Sequence, residues 1–272
     1  MKRHIVRLTA VVSVLLICVA ILGCGKKKDE PLPVYEGWEK YTYRHFVYHY
    51  EPGEYWGRNI DRFASFNERY LMENCEFLAI DIPTDTIHYY IHMDSANAAA
   101  LVGHDIPYVT SNQIHWGRPV PLGVPIIAYL IPKMKLRPTD FRVLHDGLIT
   151  LRDYSGHDYH DLTGMLHKIG QYIPLDSMFN NEAFLRRHIL YRRQEAASLV
   201  AYITYTYGIN RFKMLWQSAA DYRKSIEELF RTDFSKFEAD WEAFVKERFT
   251  GFTIQKDTLI GDSVVREVIE VK

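Results

Sequence analysis

Apolar and polar positions divide the chain into six stretches. Residues 8–22 form an apolar run behind Lys2, Arg3 and Arg7, and the run ends at Gly23-Cys24. Residues 25–33 combine the charges of Lys26-Lys27-Lys28-Asp29-Glu30 with Pro31 and Pro33. They have little to bury and predict a solvated leash. A strand is expected next, because Tyr43-Arg44-His45-Phe46-Val47-Tyr48-His49-Tyr50 is rich in aromatic residues and stops at Pro52-Gly53. Trp56, Ile60, Phe63, Phe66, Tyr70 and Leu71 then recur at helical spacing and predict one long helix over 55–78. After Pro83, residues 86–93 read as a second strand, and the Ala-rich 95–101 as a short helix.

Glycine and proline punctuate 103–138, where the pattern gives only a strand at 112–115 and an apolar segment at 126–131. The second half is helical: 140–152, 160–172 and 193–207, the last with Ala196, Leu199, Val200 and Ile203 on one side and Gly208 as its stop. Asn210 is placed to cap the next helix. Ser235 and Glu238 make a capping box for the final one, whose buried stripe is Phe237, Trp241, Phe244 and Val245. From Gly251 the period becomes strand-like around a turn at Gly261-Asp262. The fold class expected is α+β: a small N-terminal mixed sheet with helices, a mainly helical C-terminal half and a short β tail.

The first stretch changes the picture most. A basic start, a short apolar run and a small residue before Cys24 resemble a bacterial lipoprotein signal, so residues 1–23 would be removed and Cys24 acylated. The apolar run has about 15 residues, short against the roughly 20 that span a bilayer. Lys28-Asp29-Glu30 resembles a surface-export signal of some double-membraned bacteria, and reads equally well as a charged linker. The expected location is the cell envelope, lipid-anchored to a membrane, at the outer membrane or cell surface. Residues 24–38 would be linker, 39–250 the main domain and 251–272 the tail.

Composition narrows the partners. The formal net charge is -1, and loss of Lys2, Arg3 and Arg7 leaves -1 - 3 = -4, which is no footprint for nucleic acid. Of the three cysteines, Cys18 leaves with the signal and Cys24 is acylated, so Cys75 stands alone, without a disulfide partner. The 19 Tyr and 14 Phe suit a dense core.

Three segments carry a family resemblance. They are Asp146-Gly147-Leu148-Ile149, then Glu195-Ala196-Ala197-Ser198-Leu199-Val200 running on to Tyr207-Gly208, and Asp233 to Glu238 leading to Trp241. In their order and spacing they resemble the peptidase MA-like group of gluzincin zinc metallopeptidases over residues 46–249. The resemblance implies a gluzincin-like fold and puts Asp146 where the family has a Glu as third zinc ligand.

The chain departs from that family at its chemistry. A gluzincin needs H-E-x-x-H on a helix, whose two His bind Zn²⁺ while the Glu acts as general base. No such motif occurs, and the segment where it should fall, 124–131, contains neither a His nor a carboxylate. The expectation is a pseudo-metallopeptidase: no catalytic residue, no cofactor, and a binding or scaffolding role toward a peptide or envelope protein. Two other readings stay open. A metallohydrolase could use an unorthodox site from His145, His157 and His160 beside Asp146, and a structural envelope lipoprotein would need no site. His45 and His49, four apart on a strand, are roughly 13 Å apart and unlikely partners. The same holds for His88 and His92 unless a neighbouring strand supplies a partner.

Overall fold

The computed structural model describes residues 31–218, 221–249, 252–260 and 263–271, the last two as backbone only. The described residues from Glu36 onward belong to one compact unit. The predicted signal, Cys24 and Lys28-Asp29-Glu30 lie outside the described residues, as does the Gly261-Asp262 turn. Among the described residues no helix is long and apolar enough to cross a membrane.

This unit is mixed α+β, with one five-stranded sheet whose strands, counted along the chain, lie in the order first, second, third, fifth, fourth. The strands are β1 (Glu39–Tyr43), β2 (Phe46–Tyr50), β3 (Ile87–Asp94), β4 (Tyr108–Val109) and β5 (Gln113–Arg118). β2, β3 and β5 run parallel, and the edge strands β1 and β4 are antiparallel to their neighbours. The predicted strand over 43–50 is therefore the second arm of a hairpin plus its turn, where Arg44 takes a left-handed conformation. β1 escaped notice because Glu39-Lys40-Tyr41-Thr42-Tyr43 is an edge strand with no fully buried face.

Alternate residues of the central strands form the core face: Phe46 and Tyr48, Ile87, Tyr89 and Ile91, Ile114 and Trp116. Onto them packs α2 (Ile60–Phe77), where Phe63 lies edge-on to Tyr48 and Tyr89. The single helix expected over 55–78 is two. α1 (Tyr55–Arg58) ends at Asn59, whose backbone is non-helical and whose side-chain amide donates to the Tyr55 carbonyl at 2.7 Å.

The Asp94 carboxylate accepts from Asn97 N at 2.7 Å and starts α3 (Ser95–Val102). The punctuated segment contains α4 (Val124–Leu130), opened by Pro125 in its first turn, where a missing N–H costs nothing. Then come α5 (Arg142–Leu151), α6 (Tyr159–Lys168), α7 (Leu175–Phe179), α8 (Asn181–Arg186) and α9 (Ile189–Tyr207). α6 starts under the Asp158 cap and stops short of residue 172, because left-handed Gly170 closes a turn. α9 begins four residues before the expected start and ends at Gly208, whose φ of 87° suits glycine.

Gly208 also precedes α10 (Ile209–Trp216), so Asn210 is inside that helix and does not cap it. α11 (Tyr222–Phe230) and α12 (Phe234–Arg248) complete the helical half, and β6 (Phe252–Ile260) pairs antiparallel with β7 (Ser263–Val271). The cap of α12 is Asp233, which accepts from Lys236 N at 2.7 Å. Ser235 is one residue into the helix, and the Glu238 carboxylate instead accepts from Leu175 N at 2.8 Å. Asp233→Ala should therefore cost about 1 kcal/mol in urea unfolding, and Ser235→Ala only a few tenths.

Candidate functional site

Three helices frame the place the sequence singles out. α4 packs beside α5, and α5 lies against α9. The contact is close because Gly147 has no side chain: a Cβ there would sit 2.4 Å from the Ala196 carbonyl oxygen and 2.7 Å from the Val200 side chain.

Asp146 precedes that glycine and is buried. One carboxylate oxygen, Oδ1, lies 3.0 Å from Arg142 Nη2, one helical turn back, and 3.3 Å from His145 Nδ1. Burial alone would raise its pKa. The hydrogen bond from His145 and the charges of Arg142 and Arg193 outweigh burial and hold the carboxyl below its ordinary value. Its other oxygen has no hydrogen-bond partner among the described residues. On α4 the inward side chains are Ile126, Ile127 and Leu130, all fully buried.

A cleft of about 400 Å³ opens beside these helices. Pro107, Val120, Val124, Ile149 and Leu190 give it apolar walls, while Thr150, Asp153, His157, Arg193 and Gln194 supply polar groups. Asp153 fixes one rim: its Oδ1 accepts from Ser155 N at 2.8 Å and from the Tyr159 hydroxyl, and its carbonyl accepts from Gly123 N at 2.9 Å. The rim loop is thus tied both to the start of α6 and to the start of α4.

The three histidines of the alternative metal site have separate surroundings. His145, on α5, lies 6.1 Å from the Trp216 ring. His157 lines the cleft, and His160 Nδ1 sits 3.2 Å from Ser198 Oγ on α9, edge-on to Phe244. Among the described residues no group of three or more His, Cys, Asp or Glu side chains is arranged to hold a metal ion. Cys75 is buried, and burial pushes its thiol up to about 11, so it is no ready nucleophile.

Two groupings escaped single-strand reasoning. The sheet face opposite α2 carries paired imidazoles: His49 Nε2 and His88 Nδ1 are 3.1 Å apart, and His92 Nε2 and His115 Nδ1 are 3.2 Å apart. The Tyr90 ring stacks between His49 and His115, at 4.2 and 4.4 Å. Burial, the largest cause, lowers His49 and His92 to about 4 and His115 to about 3. The neighbouring imidazoles add to this for His49 and His115, as does Lys40 for His49. The alternation of His88, Tyr90 and His92 along one strand was the available signal. The second grouping centres on Glu195, fully buried on α9, whose Oε2 accepts from Ile173 N at 2.8 Å. Burial pushes its pKa up to about 8.

No family model matches the chain, and no curated protein or solved structure matches it.

Proposed function

We propose that this protein is a lipid-anchored component of the bacterial cell envelope, related in fold to gluzincin peptidases, that binds a peptide or protein segment and does not hydrolyse it. One observation carries the reading: the helices where such an enzyme would place its ligands are committed to other work. α4 fills its inward positions with Ile126, Ile127 and Leu130, and α5 ties Asp146 to Arg142 and His145. Three metal ligands and a general base are what zinc hydrolysis requires.

The neighbouring cleft supports a binding role. Its apolar walls at Pro107, Val120, Val124 and Ile149 suit side chains of an extended segment, and Gln194 and Thr150 offer groups for a peptide backbone. The apolar run ending at Gly23-Cys24 supports the anchor, with the acyl groups on Cys24 as the link to the membrane.

Elemental analysis tests the central point. The protein purified in detergent, exposed to zinc and then dialysed extensively, should retain well under ~0.1 equivalent, because no three-ligand set is arranged to hold the ion among the described residues. Near-stoichiometric zinc would overturn the reading and send mutagenesis to His145, His157 and His160.

A further inference from the structure

We propose that the elbow between α8 and α9 is a membrane-contact surface that seats the domain on an anionic bilayer. Four apolar side chains project there within seven residues: Leu185 is 44% exposed, Ile189 41%, Leu190 58% and Tyr191 44%. The patch extends onto α6. Leu162 and Met165 share a hollow of about 520 Å³ with Leu190, and Ile169, 56% exposed, continues their helix face. Isolated apolar residues on a surface need no explanation, but Leu162, Met165 and Leu190 lining one exposed hollow do.

The rim is basic. Arg186, Arg187, Arg192 and Arg193 flank the apolar positions directly in sequence. Arg187 donates to the Gln171 and Tyr172 carbonyls at 3.1 Å, and Arg192 to the Leu185 carbonyl at 2.8 Å. Neutral acceptors hold these guanidiniums in place without cancelling their charge. Among the described residues only Arg186 of the four has a carboxylate within 4 Å, that of Glu182. Glu195, whose charge would act on Arg187, is kept protonated near neutrality by burial. Asp158 and Asp161 face the hollow from its α6 side, so the basic side of the patch is the α9 side. Elsewhere the helices pair their charges at one-turn spacing, as in Arg69 with Glu73, Lys224 with Glu228 and Lys236 with Asp240. Arg193 also acts on Asp146, so the uncancelled charge at the elbow is that of Arg187 and Arg192, and there it coincides with exposed apolar groups, the combination that favours an anionic lipid surface.

The choice of a bilayer over a soluble partner rests on the Cys24 anchor proposed above. Eleven residues lie between Cys24 and Glu36, where the compact unit begins, and even a fully extended chain of that length reaches no more than about 40 Å. A domain held that close meets the membrane surface at a high effective concentration.

The test uses the acylated protein reconstituted into vesicles containing phosphatidylglycerol, with a fluorophore on Leu190→Cys. Brominated lipid should quench this label at least about twofold, while the same label on Met72→Cys, exposed on α2, should stay unquenched. Mass spectrometry of the Cys24 peptide from the same preparation reads the anchor separately. Acylated protein whose label at position 190 is quenched no more than the one at position 72 overturns the membrane contact and leaves the anchor standing. If Cys24 carries no lipid, the anchor fails, and quenching at position 190 in the unanchored protein mixed with the same vesicles still decides the contact.

Discussion

Gly147→Ala should destabilise the domain by on the order of 3 kcal/mol, the largest effect expected of any single methyl addition on α5. The added Cβ would meet the Ala196 carbonyl oxygen at 2.4 Å, and backbone cannot rotate away as a long side chain can. Relief requires moving α5 away from α9, and that would loosen a core holding Leu144, Leu148, Leu199 and Val200. Gly53→Ala is the control. It has nothing within 4 Å, so it should be neutral or slightly stabilising. Urea unfolding followed by far-ultraviolet circular dichroism measures both. A Gly147→Ala cost below about 1 kcal/mol would mean that the two helices are not pressed together as described. The result bears on function too. The glycine beside Asp146 has a packing role between α5 and α9 whatever the carboxylate does.

The parts of this fold that were legible in the sequence are those set by local periodicity. β3 and α12 announce themselves through apolar spacing, and Gly208 marks the end of α9 because few other residues take its conformation without strain. The sites of failure have physical causes as well. Asp233 and Ser235 are both competent caps two residues apart, and propensity alone does not choose between them. The choice was made by Glu238, which serves Leu175 N across the fold at 2.8 Å and so is lost to a capping box. α4 was hidden because its apolar side chains have no polar face to reveal a helical period, and because prolines surround it. Asp146 was found through its Gly-Leu-Ile context, whereas its approach by Arg193 depends on how α9 lies against α5. The imidazole pairs were invisible for a similar reason. Reasoning along one strand puts His88 and His92 too far apart to cooperate, and it is β2 and β5 that bring each a partner.

Those pairs set the second large effect: the stability of the domain should be greatest near pH 6.5 and fall on both sides. His49, His92 and His115 stay neutral in the folded state down to about 4, 4 and 3. An unfolded chain protonates them near 6.5. In the window between, the unfolded state binds more protons, so stability is present above the unfolded value and is lost as pH falls toward the folded ones. A single imidazole shifted this far represents on the order of 3 kcal/mol, and all three act in the same direction. The geometry points the same way. Each 3.1–3.2 Å pair needs one ring to donate and the other to accept, and full protonation would leave two donors and two positive charges facing each other. Lys40, opposite His49 on β1, adds a further positive charge.

Glu195 governs the other limb. Its carboxyl titrates at about 8 when folded, against 4.5 as its ordinary value, so here the folded state binds the extra proton. That contribution is complete below the unfolded value and is lost as pH rises through about 8, on the order of 4 kcal/mol in all. Between 4.5 and 6.5 three imidazoles outweigh one carboxyl and stability rises with pH. Above 6.5 the carboxyl dominates and stability declines, with the buried Cys75 thiol, raised to about 11, adding to the decline toward pH 9. Urea midpoints measured at intervals from pH 4 to 9 check this. Glu195→Gln should flatten the alkaline limb, since an amide keeps the hydrogen bond to Ile173 N and has no proton to lose. His115→Phe should keep a ring against Tyr90 and reduce the slope of the acid limb by one proton. A profile flat from pH 4 to 6.5 in the unaltered protein would show that the imidazoles are already charged in the folded state, and the buried pairs could not then exist as described.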